Sequence, residues 1–153
     1  MIDLKVKHLF FDRAAVIAAV DRGRRTAMNR IGGFLRTTAK RSIRKRKGIS
    51  PPGKPPHSHV GLLRDHIYYS YDPARDTVVI GPALLTSRNP DAEPVEGTVP
   101  QVLEQGGKVR VTESRPKGRT RIVTIRPRPY MAPALDTARN ADKLSPFWKD
   151  VVL

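Results

Sequence analysis

Between Arg22 and Arg64 the chain carries thirteen lysines and arginines and not one aspartate or glutamate. The whole chain of 153 residues has a net charge of +15, from 29 basic and 14 acidic residues. Outside this segment, sixteen basic and fourteen acidic residues nearly balance. One acid-free stretch therefore owns almost all of the excess charge. Such a stretch repels itself and favours polyanions or acidic protein surfaces. Its self-repulsion calls for compensation by counterions or a partner.

The length suffices for one domain with one sizeable core, residues 1–153. There is no cysteine, so neither a disulfide framework nor a thiolate metal site is available. No apolar run is long enough to cross a bilayer. The start, MIDLKVKHLFFDR, lacks the apolar h-region of a signal peptide, which makes cytoplasmic synthesis the expectation.

Residues 2–7 alternate apolar and polar, which predicts a short strand. From Asp12 the spacing turns helical, with Ala14, Ile17, Ala18, Met28, Ile31, Leu35 and Ala39 at steps of three and four. One long helix is expected over roughly 12–45, capped by Asp12, with Gly32–Gly33 weakening its middle and marking either a kink or break near 32 or a close packing contact. Its last turns hold Arg41, Arg44, Lys45, Arg46 and Lys47, more cations than a helix dipole calls for. Residues 48–60, with prolines at 51, 52, 55 and 56, read as an exposed, mobile loop. His66–Tyr71 and Thr77–Ile80 read as a hairpin turned at DPARD. A second proline-bearing mobile loop is expected over 82–100. A short helix or strand ending at Gly106–Gly107 follows, then strands at Lys108–Thr112 and Arg121–Arg126. A C-terminal helix is expected to be interrupted near Pro133, with Phe147 and Trp148 giving the tail something to bury. The expected fold is α+β: a long N-terminal and a C-terminal helix packed on a small, mainly antiparallel sheet, with long proline-rich loops.

Catalytic signatures are not found. His57 and His59 offer at most two metal ligands on a loop, and solvated histidines are the simpler reading. Ser50, Ser58 and Ser70 lack a nucleophile-elbow context. Gly106–Gly107 is not a phosphate loop. Neither an enzyme, a metal nor a cofactor is therefore expected. Tyr68, Tyr69 and Tyr71 are expected to alternate between core and surface of one strand. Arg36, Lys40, Arg41, Arg44, Lys45, Arg46 and Lys47 form a candidate patch facing DNA or a partner. Aromatics are not interleaved with the charge, so contact with a phosphate backbone is favoured over base readout.

Four pieces recur in a familiar order. The long basic helix leads into Gly61-x-Leu63-Arg64-x-x-Ile67. A strand ending Val79-Ile80-Gly81-Pro82 follows, then Val102-Leu103-Glu104-Gln105-Gly106, then Arg128-Pro129-Tyr130-Met131-Ala132-Pro133-Ala134-Leu135. Over about residues 12–140 this resembles the tail-completion, or head–tail joining, proteins of long-tailed bacteriophages. Val60, His66 and Gln105 stand where that family has threonine, serine and an aromatic. Gly61 is expected to free the turn from loop to strand, Leu63 and Ile67 to share a face, and Arg64 to pair with an acid such as Glu104. Pro129 and Pro133 are expected to set the start of the last helix.

The resemblance implies a structural virion protein of the neck. It implies a homo-oligomeric ring, expected to be a hexamer, between connector or portal-side proteins and tail-tube or tail-terminator proteins. Non-specific contact with DNA in the lumen would accompany this; a membrane would not. Assembly would take place in the host cytoplasm. The alternative is a basic protein that binds nucleic acid through the phosphate backbone.

Overall fold

The computed structural model describes residues 12–85, 92–113, 119–149 and 151. The strand expected at 2–7, the middle of the second proline-bearing loop and the tip of the ESRPKGRT turn lie outside these residues. The architecture is α+β, as the sequence pattern predicts.

Helix α1 (Arg13–Ser42) is the backbone of the molecule. Asp12 caps it, its carboxylate accepting from the Ala15 N–H at 2.9 Å. The helix runs unbroken through Gly32–Gly33. Gly32 is there for space: a Cβ would stand 2.5 Å from Tyr69 Cδ2 and 2.9 Å from Val78 Cγ1. The hairpin therefore lies directly against the helix backbone.

The helix ends earlier than its pattern suggests. Ile43 is extended, with φ −84° and ψ 107°, and Arg44–Lys45 form a two-residue strand, β1. Extended backbone spaces successive residues at about 3.3 Å, against about 1.5 Å along a helix. The run Arg44–Lys47 thus separates its like charges by leaving the helix, while Ile43 is free to turn into the core.

Strand β1 pairs in parallel with β2 (His57–Ser58), Arg44 opposite His57 and Lys45 opposite Ser58. The proline-rich loop between them is tied down at several points. The Gly53 N–H donates to Pro127 O at 2.9 Å, and Arg128 Nε donates to Ser50 O at 2.9 Å. Pro56, Ser50 and Ser58 are buried.

The GLLRDHI stretch is one helical turn, α2 (Leu62–Asp65), running into strand β3 (Ile67–Asp72). Gly61 enters it at φ +94°, a left-handed position that glycine occupies without strain. The Ser58 hydroxyl accepts the Gly61 N–H at 2.9 Å. The turn-then-strand geometry points Leu63 and Ile67 into the same core. Strand β3 pairs antiparallel with β4 (Thr77–Pro82), from Ile67 opposite Pro82 to Asp72 opposite Thr77.

Helix α3 (Val99–Gln105) lies against a three-stranded antiparallel sheet, β5 (Ala92–Pro94), β6 (Gly107–Glu113) and β7 (Arg119–Ile125), in the order β5-β6-β7. The region from 82 to 100 is therefore not all loop: β4 reaches Pro82, β5 adds an edge strand, and α3 starts at Val99. Gly106 turns α3 into β6 at φ +80°, where a Cβ would meet Ile125 O at 3.0 Å. Val109, Val111, Val123 and Ile125 take the half-buried positions of the sheet and alternate with exposed Lys108, Arg110, Ile122 and Thr124.

Helix α4 (Met131–Asn140) passes through Pro133 without interruption. Pro133 stands in its first turn, where no intrahelical N–H is needed. The break falls later, at 141–145, before the short α5 (Pro146–Lys149). Phe147 meets Phe34 of α1 with ring centroids 5.8 Å apart, which docks the tail on the long helix.

The core joins α1, α2, β3 and α4 through Ala39, Ile43, Leu63, Ile67, Tyr130 and Ala134. Ile43, Ile67 and Tyr130 are the largest fully buried side chains. Each contributes on the order of 1.5–3 kcal/mol by leaving water.

Candidate functional site

The residues that the four sequence stretches single out separate into four groups. Leu63, Ile67 and Tyr130 are core. Gly61 and Gly106 hold turns, and Pro129 and Pro133 flank the start of α4. Gly81 has open space where a side chain would stand and an ordinary φ, and nothing in the structure requires glycine there. Leu135 is 48 % exposed and serves the surface.

Glu104 does not pair with Arg64. Its carboxylate caps the start of α4 instead, Oε2 accepting from the N–H groups of Tyr130 (2.9 Å) and Met131 (3.1 Å), and Oε1 from Ala132 (2.9 Å). These are donors that a helix start leaves without intrahelical partners, and a charge there suits the dipole. Arg64 is exposed. The Tyr130 hydroxyl, buried beside this carboxylate, has its pKa raised, first by burial and then by the Glu104 charge.

The basic patch also divides. Arg36 and Lys40 are half-buried, and each gives a donor to the backbone. Arg36 Nε donates to Ile67 O at 2.8 Å, and Lys40 Nζ donates to Asp65 O at 3.0 Å. Together they fasten the GLLRDHI turn to α1. Burial, followed by the nearby Arg36 charge, lowers the Lys40 pKa; Arg64 adds to the lowering and Asp65 opposes it. Further up α1, Arg24 Nε lies 3.0 Å from Asp76 Oδ2, and Arg25 stands over the Tyr71 ring at 5.9 Å. Tyr71 in turn donates to Asp76 at 2.8 Å. So the helix cations before Arg41 include three that hold the β3–β4 hairpin, Arg24, Arg25 and Arg36, and one, Lys40, that holds α2.

The cations after them are different. Where β1 pairs with β2, the chain folds the end of α1 back against the proline-rich loop. The result is an open cleft of about 440 Å³ lined by Arg41, Arg44, Arg46, Lys54 and His57, with Pro51 and Pro55 as its apolar wall. Arg44 and Arg46 face it and Lys45 between them does not, as alternation along extended backbone requires. No aspartate or glutamate lines it. Among the described residues, Arg41, Arg44, Arg46 and Lys54 have no ion-pair partner. His57 Nδ1 lies 2.8 Å from Gly48 O, a carbonyl that can only accept, so Nδ1 carries the proton and Nε2 is left for a ligand. Lys54 and His57 were not evident as site residues in the sequence, because they lie seven and ten positions beyond Lys47, within the proline-rich loop.

A second surface is apolar. Every residue from Asp12 to Arg22 is exposed, so the first part of α1 stands clear of the core as an arm. That arm includes AAVIAAV, with Val16, Ile17 and Val20 between 43 and 49 % exposed. An apolar groove of about 330 Å³ opens elsewhere, between α1, β4 and α4, lined by Leu35, Val78, Ile80, Met131, Ala134 and Leu135.

Among the described residues no group of three or more histidine, aspartate or glutamate side chains is placed to hold a metal ion. No described helix is long and apolar enough to cross a membrane. Comparison of the chain with protein-family models, with curated proteins and with solved structures found no match.

Proposed function

We propose that this chain is a structural virion protein of a long-tailed phage, one that forms a ring at the neck and joins the tail to the DNA-filled head. The observation that carries the reading is the convergence of the four stretches of the resemblance. Scattered over more than seventy residues, they meet around one short core: Leu63 and Ile67 from the first, Ile80 packed beside them, Glu104 capping the fourth, and Tyr130 and Ala134 from that last piece. Four sequence pieces that share one structural task are a stronger signature than four unrelated matches.

The two apolar surfaces supply a way for copies to meet. Arm and groove belong to the same continuous helix, with Ile17 and Leu35 about 27 Å apart along its axis. One copy therefore cannot seat its arm in its own groove. The arm of one copy in the groove of the next makes a head-to-tail contact, which closes into a ring when the rotation per subunit closes. Connector or portal-side proteins on one face, and tail-tube or tail-terminator proteins on the other, are the proposed neighbours. No catalytic role is proposed.

The test is electron microscopy of particles made when the gene carries a nonsense mutation in its phage or prophage. The expected result is filled heads and free tails accumulating separately. Heads that still carry tails would remove the joining role.

A further inference from the structure

We infer that the cleft between the end of α1 and the proline-rich loop is a binding site for the phosphodiester backbone of nucleic acid, read without regard to sequence. The sequence shows only a run of basic residues. The structure turns part of that run into a concave site from two segments: Arg41, Arg44 and Arg46 on one wall, Lys54 and His57 on the other. Four permanent cations share this space with no acid among them. Charges at that density, with no ion-pair partner among the described residues, suit an anion with several negative groups in a row.

The lining decides the class of anion. A protein interface centres on apolar and aromatic anchors that exclude water. This cleft has only Pro51 and Pro55, and no aromatic ring beyond His57. Nucleic-acid interfaces are more polar and far more positive than protein ones. Base stacking needs aromatic platforms, which are missing, so the contact is to phosphates alone. Arginine guanidinium groups suit phosphate oxygens in pairs. Arg36 and Lys40, committed to backbone carbonyls, take no part. The inference stands apart from the joining role, since it concerns the isolated chain and a defined set of side chains.

The test is the salt dependence of DNA affinity for the purified full chain, by fluorescence anisotropy with single- and double-stranded probes of unrelated sequences. About four phosphate contacts predict roughly a 100-fold loss of affinity between about 50 and 200 mM salt, alike for every sequence. The triple variant Arg44→Ala, Arg46→Ala, Lys54→Ala removes exposed cleft cations. It should lower the slope of log affinity against log salt by about 3 and weaken low-salt binding at least tenfold. Lys54→Glu alone, at an exposed loop position, should weaken binding in the same direction and gives a second variant with little risk to the fold. A control of equal charge, Arg139→Ala, Lys143→Ala, Lys149→Ala, removes exposed cations from α4, the turn after it and α5. It should leave most of the slope intact. Equal loss in the control would overturn the site and leave only diffuse charge. Poly-glutamate displacing DNA at equal charge concentration would overturn the ligand class in favour of an acidic protein. Inorganic polyphosphate binding while DNA does not would overturn it in favour of the free anion.

Discussion

Gly32 and Gly33 are neighbours in the middle of α1, and the same substitution should act on them with opposite sign. At Gly32 a Cβ would stand 2.5 Å from the Tyr69 ring and 2.9 Å from Val78, both in the hairpin that packs on the helix. At Gly33 the nearest contact is 3.9 Å, which is ordinary packing. Alanine favours a helix over glycine by about 1 kcal/mol. Gly33→Ala should therefore stabilise by about 0.5–1 kcal/mol in urea unfolding. Gly32→Ala should destabilise by roughly 1–3 kcal/mol, because overpacking outweighs the propensity gain. Equal effects at the two positions would mean that the hairpin does not lie where the structure has it. Tyr130 carries a second expectation at this scale. Its pKa is raised by burial and by Glu104. The folded state keeps the phenol neutral while the unfolded chain ionises it above about pH 10. A group with a raised folded pKa stabilises fully below its unfolded pKa and loses that contribution as pH climbs above it. Wild-type stability should thus fall more steeply above about pH 10 than that of Tyr130→Phe, the two curves running parallel below that point. Parallel curves throughout would show that the phenol ionises as freely in the folded chain as in the unfolded one.

At the scale of elements, the long helix, the β3–β4 hairpin, the β6–β7 pair and the last helix were legible in the sequence because each rests on local periodicity and turn chemistry. What was not legible depended on distant partners. The early end of α1 is decided by Ile43 finding a place beside Ile67 and Tyr130, and by the pairing of Arg44 with His57, thirteen residues on. The role of Glu104 is decided by Tyr130, twenty-six residues away. The basic run looked like one patch because charge is visible in a sequence and hydrogen-bond acceptors on folded backbone are not. Only the fold shows that Arg36 and Lys40 spend their donors on Ile67 and Asp65 while Arg41, Arg44 and Arg46 are left open. The Glu104 cap can be tested directly. Its carboxylate accepts three N–H groups at the start of α4. Glu104→Ala leaves those donors without partners and removes a charge from the helix start. It should cost about 2–3 kcal/mol in urea unfolding. Glu104→Gln, which keeps one acceptor oxygen, should lose less. An unchanged midpoint for Glu104→Ala would mean that water serves those N–H groups as well as the carboxylate does.

For the whole molecule, the question is what covers the arm and the groove. An apolar helix face held clear of its own core is stable only while nothing else collects on it, and the groove beside Leu135 presents the matching surface on the same chain. The chain has no cysteine, so introduced thiols report a contact without background. One preparation carries Ile17→Cys and another Leu135→Cys, both at exposed positions. Mixed and treated with a short bismaleimide, they should give a cross-linked pair containing one of each. Either preparation alone should give little product, because a head-to-tail contact brings an arm to a groove and never an arm to an arm. Ile17→Cys cross-linking to itself would instead indicate a two-fold contact between arms, which closes at a dimer and cannot build a ring. The companion variant Ile17→Asp, Val20→Asp should keep the wild-type far-UV circular dichroism, since both side chains are about half exposed and outside the core, while lowering the mass seen in sedimentation to that of one chain. A wild-type protein that sediments as a single chain at every concentration, and variants that do the same, would remove the arm from assembly and leave ring formation to another surface.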